Sequence, residues 1–183
     1  MTFRPIHLHG SLYFVTGTIV NWEPIFLDNS LATVILESLT WHRANKRMKL
    51  FAFVLMSSHI HWISLPIEPF TINNNIQSFT SYTAHEILSK TRSNNNTRLM
   101  ELFKEEAKTG KHHRIWWNFQ AKYILNYRFL QQKLEYIHNN PTKKSWFESD
   151  TRSDYLYSSA SFYDVGRETI IQVDDIFEYL DDM

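Results

Sequence analysis

Apolar positions along the chain fall into two periods, one of a strand and one of a helix. Leu12-Tyr13-Phe14-Val15-Thr16-Gly17-Thr18-Ile19-Val20 is rich in β-branched and aromatic residues and runs into Asn21-Trp22-Glu23-Pro24, which predicts a first strand stopped by proline. From Asp28, a capping residue, Leu31, Val34, Ile35, Ser38, Leu39 and His42 recur at helical spacing and predict an amphipathic helix ending near Asn45-Lys46-Arg47. Two apolar runs follow, Lys49 to Met56 and His59 to Pro66, with only Ser57-Ser58 between them, and they read as a tight antiparallel hairpin buried on both faces. Ile72, Ile76, Phe79, Thr83 and Ile87 mark a second helix through about Lys90, and the polar run Arg92 to Thr97 breaks it. Leu99, Leu102, Phe103 and Ala107 continue as a shorter helix ended by Gly110. A last strong helix spans Asn126 to Asn140, with the stripe Tyr127, Leu130, Leu134 and Ile137, and Pro141 ends it.

Nothing in this pattern repeats, and no stretch is polar enough to be an interdomain linker, so residues 1–183 are read as one α+β domain with an acidic tail from about 165. The 183 residues are 43% hydrophobic and 15% aromatic, enough for a single core of ordinary size. The absence of cysteine excludes disulfides, thiolate chemistry and Cys-ligated zinc. With no signal-peptide h-region at the N-terminus and no apolar run of membrane-spanning length, the expectation is a soluble, cytoplasmic protein without a membrane partner.

Charge sums to zero but is unevenly spread. Lys and Arg stand against Asp and Glu as 5 to 5 in residues 1–89, 12 to 4 in residues 90–144, and 2 to 10 in residues 145–183. The positive excess in the middle predicts a face for phosphates, and Lys111, Arg114, Lys133, Lys143 and Lys144 are its candidate contacts. Lys111-His112-His113-Arg114-Ile115-Trp116-Trp117-Asn118-Phe119 mixes cations with aromatics, as single-stranded nucleic acid requires, although Trp116 and Trp117 suit a core or a dimer contact equally.

The candidate chemistry begins in Met56-Ser57-Ser58-His59-Ile60-His61-Trp62. Alternation puts His59 and His61 on one face of a strand, roughly 6 to 7 Å apart, where two imidazoles can close on one metal ion or hydrogen-bond to buried neighbours. A second pair, His7-Leu8-His9, is followed by Gly10-Ser11 rather than by more strand and is read as a decoy. On the last helix Tyr136 lies about 120° from the Leu130/Leu134 line and shares a face with Asn140, about 40° away. Tyr136 reads either as an amphipathic surface residue or as a reactive one. Asn140 reads either as a C-cap or as the oxygen that would complete a site for a hard divalent metal.

Met56-Ser57-Ser58-His59-Ile60-His61, Tyr136-Ile137-His138-Asn139-Asn140-Pro141 and Asp154-Tyr155-Leu156-Tyr157-Ser158-Ser159-Ala160 resemble, in order, the three signature blocks of the single-tyrosine HUH transposases, and among them the REP-associated tyrosine transposases. The resemblance implies a ferredoxin-like antiparallel sheet with helices packed on it, usually as a homodimer. It also implies His59 and His61 as the HUH metal pair, Asn140 as the residue completing the shell around Mg²⁺ or Mn²⁺, and Tyr136 as the nucleophile. The implied reaction cuts single-stranded DNA near a hairpin, leaving a 5′-phosphotyrosine and a free 3′-OH.

The chain departs from the family pattern in three places. Ser58 stands where the family usually has Asn, Thr142-Lys143-Lys144-Ser145-Trp146 replaces a basic residue followed by Ala-Gly, and the helix at Gln77-Ser78-Phe79-Thr80 is less basic. The competing reading is a domesticated module that binds a nucleic-acid hairpin without turnover. A zinc hydrolase using a strand His-x-His ranks last, because the chain is too short for the barrel it needs.

Overall fold

A computed structural model of the chain describes residues 12–107, 112–144, 146 and 148–181. The pair His7 and His9, the expected stop at Gly110, and Lys111 lie outside the described residues. Four strands, β1 (Tyr13–Ile19), β2 (Met48–Leu55), β3 (His59–Pro66) and β4 (Trp116–Tyr123), form one antiparallel sheet in the order β2-β3-β1-β4. Helix α1 (Asn29–Ala44) links β1 to β2, and α2 (Ile72–Ser93) with α3 (Thr97–Glu105) links β3 to β4. This is the ferredoxin-like arrangement, an α+β fold. Beyond it come α4 (Tyr127–His138), α5 (Ala160–Val165) and α6 (Ile176–Asp181).

The two faces of the sheet carry separate cores. Val15, Ile19, Phe53, Leu55, Ile60 and Trp62 meet α1, α2 and α3 on one side, while Phe14, Val54, Met56, Ile63 and Leu65 meet Leu130, Leu134 and Ile137 of α4 on the other. Trp62 is buried against Phe79 and Phe119, with ring centroids at 5.1 and 5.8 Å, and its indole N–H donates to Ser64 Oγ at 3.1 Å. Truncating such a side chain costs about 3–5 kcal/mol. Gly17 is required by the same packing: a Cβ there would stand 2.3 Å from the Phe119 ring.

Helix starts follow the sequence signals. Asp28 accepts the Ser30 N–H at 2.8 Å, Thr71 and Asn74 form a reciprocal capping box, and Asn126 accepts the Phe129 N–H at 2.9 Å. Strand β4 is the element that the hydrophobic pattern does not predict. Thr18 pairs with Asn118 but Ile19 with Trp116, so Trp117 is bulged out of register. The bulge turns Trp116 and Phe119, three residues apart, onto the same core and leaves Trp117 exposed, which erases the period of two.

The acidic tail lies along β2, the edge strand. Asp174 accepts the Leu50 N–H at 2.9 Å, returns its own N–H to Leu50 O at 2.7 Å, and pairs with Arg43 at 2.9 Å. These two bonds, one to the Asp174 carboxylate and one from its backbone N–H, cover part of an edge that would otherwise present free N–H and C=O groups. Among the described residues, no helix is long and apolar enough to cross a membrane.

Candidate active site

The β2–β3 turn is held from three directions. Ser57 O accepts the Phe26 N–H at 2.9 Å, Ser58 O accepts the Ile19 N–H at 3.0 Å, and the Ser57 N–H donates to Glu148 at 3.1 Å. From this anchored turn His59 and His61 project to the α4 side of the sheet, their ring centroids 5.1 Å apart. Each ring is fixed through Nδ1, which lies 2.8 Å from Thr16 Oγ1 in His61 and 3.3 Å from Ser58 Oγ in His59. In each imidazole Nε2 is thereby left for a further partner.

Helix α4 delivers the opposite wall. Its buried stripe, Leu130, Leu134 and Ile137, turns Tyr136 out of the core, 37% exposed, with its ring 5.1 Å from His61 and 5.8 Å from Phe14. Lys143 Nζ sits 3.7 Å from the centre of the Tyr136 ring and Lys133 Nζ 5.3 Å from it. The helix closes at His138 with Asn139 as its C-cap, so the C-cap reading of Asn140 does not hold. Asn140 begins a 3-10 turn and is fully buried, and neither end of its amide has a hydrogen-bond partner of proper geometry among the described residues. A buried amide without partners is costly and calls for a reason.

Burial sets the protonation states. It lowers the His59 pKa to about 4, the negative charge of Glu148 opposing and Lys143 adding to the shift. His61 falls well below the usual imidazole value, through burial first and then the nearby His59, Lys143 and Lys133. Both rings are therefore neutral at pH 7 and carry lone pairs. Burial raises the Tyr136 phenol, a rise that the nearby Asn140 amide opposes. Burial and repulsion from Lys133 lower Lys143, and burial with repulsion from Lys122 lowers Lys133.

The cleft between these walls has a volume of about 270 Å³. Gln120 and Lys122 of β4 close one side, and Trp22 and Trp146, stacked with centroids 5.4 Å apart, close the other beside His59. Trp22 and the preceding Asn21 both have positive φ, 55° and 52°, a conformation that non-glycine residues rarely adopt. Among the described residues, no three His, Cys, Asp or Glu side chains cluster closely enough to hold a metal ion. A cation here would have to draw on the two imidazoles, the Asn140 amide and atoms of its own substrate or solvent.

Of the residues picked from the sequence, His59, His61, Tyr136, Asn140, Lys133 and Lys143 are brought together around this cleft. Arg114 is engaged elsewhere, donating to the backbone carbonyls of Trp116 and Trp117, and Lys144 is exposed outside the cleft lining. Phe14, Thr16, Trp22, Gln120, Lys122 and Trp146 line the cleft unforeseen. Thr16 pairs with His61 across β1–β3, a register set 45 residues apart that no local pattern carries.

No family model matches the chain, and no curated protein matches it. Among solved structures it is similar to the REP-associated tyrosine transposase bound to a REP hairpin, at 18% identity and a TM-score of 0.57, over 96% of this chain and 93% of that one. The chain shares the fold of that structure. A second similar structure, assigned as a transposase and from Deinococcus radiodurans R1, has 13% identity and a TM-score of 0.44, over 76% of this chain and 97% of that one. In this fold the cleft lies between the histidine end of β3 and the last turn of α4.

Proposed function

We propose that the chain is a metal-dependent single-stranded DNA endonuclease and strand transferase acting next to DNA hairpins. The observation that carries this reading is the meeting, within one chain, of Tyr136, the neutral pair His59 and His61, and the unpartnered buried Asn140 amide. The donor set, two imidazole nitrogens and one amide oxygen, fits a divalent cation such as Mg²⁺ or Mn²⁺ that keeps open positions for water and phosphate. Bound there, the cation would neutralise charge on a phosphate oxygen and orient the strand.

Tyr136 acts as the nucleophile. Its phenol oxygen attacks the phosphorus as its proton passes to solvent, and the bond to the 3′ oxygen breaks, that oxygen taking a proton from solvent to leave a free 3′-OH and a 5′-phosphotyrosine. Attack by a 3′-OH on that linkage reverses the exchange and frees the tyrosine, so rejoining needs no outside energy source. Lys143 and Lys133, close over the phenol ring, favour the phenolate as it forms and hold the flanking phosphates. Gln120 and Lys122 guide the strand along β4, and Trp22 with Trp146 offers a stacking platform. The hairpin partner is supported by the REP hairpin bound to the similar transposase. A homodimer accords with the resemblance.

Incubating the protein with single-stranded DNA from the flanks of its own gene, with Mn²⁺ or Mg²⁺, is the direct test. Site-specific cutting with a protein-linked 5′ end supports the proposal. Hairpin binding with no cutting under either metal would replace it with the binding-module reading.

A further inference from the structure

Glu148 stands outside the three sequence blocks that build the cleft, yet it bonds to one residue of each. Its carboxylate accepts the N–H of Ser57, two residues before His59, at 3.1 Å. Its backbone N–H donates at 2.8 Å to the carbonyl of Pro141, the residue after Asn140. Its second carboxylate oxygen lies 2.6 Å from the Tyr155 hydroxyl, which also reaches Leu55 O at 2.8 Å. Burial first, and then this carboxylate, raise the Tyr155 phenol, so it stays a proton donor at neutral pH.

These contacts tie together segments that reach the cleft independently: the β2–β3 turn, the end of α4, and the stretch whose Tyr157 carbonyl accepts the Leu55 N–H. Between Asn140 and Glu148 the chain folds back, the Lys143 N–H donating to Asn140 O at 3.3 Å and the Trp146 N–H to Lys143 O at 2.9 Å. That fold lays Lys143 over the Tyr136 ring and Trp146 against His59, 4.8 Å between ring centroids. Glu148 is half-buried, and its charge bears on His59. Bonds to a carboxylate are about twice as strong as neutral ones, so this junction is a stiff one. We propose that Glu148 is a positioning residue, which holds the histidine turn and Asn140 at one fixed separation so that the donors of the cation site are in place before the cation arrives. The inference rests on the metal reading above. Both oxygens of Glu148 are engaged, so it acts through Ser57 and Pro141 rather than as a ligand, as groups behind metal ligands do.

The test compares the full chain with Glu148→Gln, Glu148→Ala and Tyr155→Phe, first without metal by NMR and then in a titration with Mn²⁺ alone followed by electron paramagnetic resonance. Without metal, the Ser57 amide should exchange about tenfold faster in Glu148→Ala, and the His59 ring and Asn140 side-chain signals should both move. Glu148→Ala should bind Mn²⁺ about 10–100-fold more weakly, and Tyr155→Phe about fivefold more weakly. Glu148→Gln, whose amide oxygen still accepts the Ser57 N–H, should stay within about threefold of wild type. Circular dichroism checks that each variant is folded, and Tyr155→Phe, the mildest change, carries the comparison if Glu148→Ala is not. Unmoved His59 and Asn140 signals in folded Glu148→Ala overturn the proposal. Equal loss of affinity in Glu148→Gln and Glu148→Ala also overturns it and assigns the effect to charge. A wild-type chain that takes up no Mn²⁺ contradicts the metal reading itself, while the metal-free signals still decide whether Glu148 sets the spacing.

Discussion

His61 and Tyr136 face each other across the cleft between β3 and α4, their rings 5.1 Å apart and nearly perpendicular at 78°. The contact joins residues 75 positions apart in the sequence and rests on two independent supports. Thr16 fixes the imidazole, and the buried stripe of α4 turns the phenol toward it.

The first expectation concerns the histidines. His59→Ala and His61→Ala should each abolish strand cutting while circular dichroism stays native, because each ring is a proposed ligand and neither is central to the two large cores. Cutting should cease with excess chelator and return with Mn²⁺ or Mg²⁺. Full activity in chelator would remove the metal from the mechanism.

Thr16 is expected to be a positioning residue. Thr16→Val keeps the shape and deletes the oxygen 2.8 Å from His61 Nδ1. Metal affinity should fall about 10–100-fold, the usual effect of losing a partner behind a metal ligand, and raised Mn²⁺ should restore much of the rate. An unchanged metal titration would show that this contact does not orient His61.

Much of this arrangement was legible in the sequence, for physical reasons that differ by element. The histidine pair could be read because alternation in a strand is strict, and Tyr136 because it breaks the α4 stripe. Helices α1 and α2 declare themselves through caps and spacing. What could not be read depends on register and bulges. Lys122 and Gln120 reach the cleft only because β4 adds to the edge of β1, and the Trp117 bulge hides that strand from any period. The charge excess drew attention to Lys133 and Lys143, which stand beside Tyr136 at the cleft. It could not foresee that Arg114 would bond to its own neighbouring backbone.

The DNA grip should therefore depend on Lys122, Lys133 and Lys143. Binding of hairpin or single-stranded DNA should weaken steeply with salt, and Lys122→Ala or Lys133→Ala should each reduce the slope of log K against log salt by about 1. Arg114→Ala should lower thermal stability through β4 and leave that slope alone. Equal slopes for wild type and both lysine variants would mean that phosphates bind elsewhere.

Part of the pH dependence of stability should come from His42, beside the larger shifts of His59, His61 and His138. Burial lowers the His42 pKa below the usual 6.5, with Arg47 adding to the effect and the hydrogen bond to Ser38 opposing it. As pH falls through about 6.5 the unfolded chain takes up a proton that the folded chain refuses, so the unfolded state binds more protons and stability declines until the folded pKa is reached. Each unit of difference is worth about 1.4 kcal/mol. Denaturant melts between pH 7.5 and 4.5 should show this decline, shallower in His42→Gln. The same slope in both proteins would assign the effect to other groups.

The nucleophile decides the account. Nine tyrosines are present, but Tyr136 is the one that pairs exposure to the cleft with contact to His61 and proximity to Asn140. The most direct measurement is mass spectrometry of the protein trapped on single-stranded DNA from its own flanks, for wild type and Tyr136→Phe. The wild type should carry a 5′-phosphate linkage on the peptide containing Tyr136, and the Phe variant should bind the hairpin but form no adduct. A linkage on Tyr123, Tyr127 or any other tyrosine, or an adduct that persists in Tyr136→Phe, would contradict it.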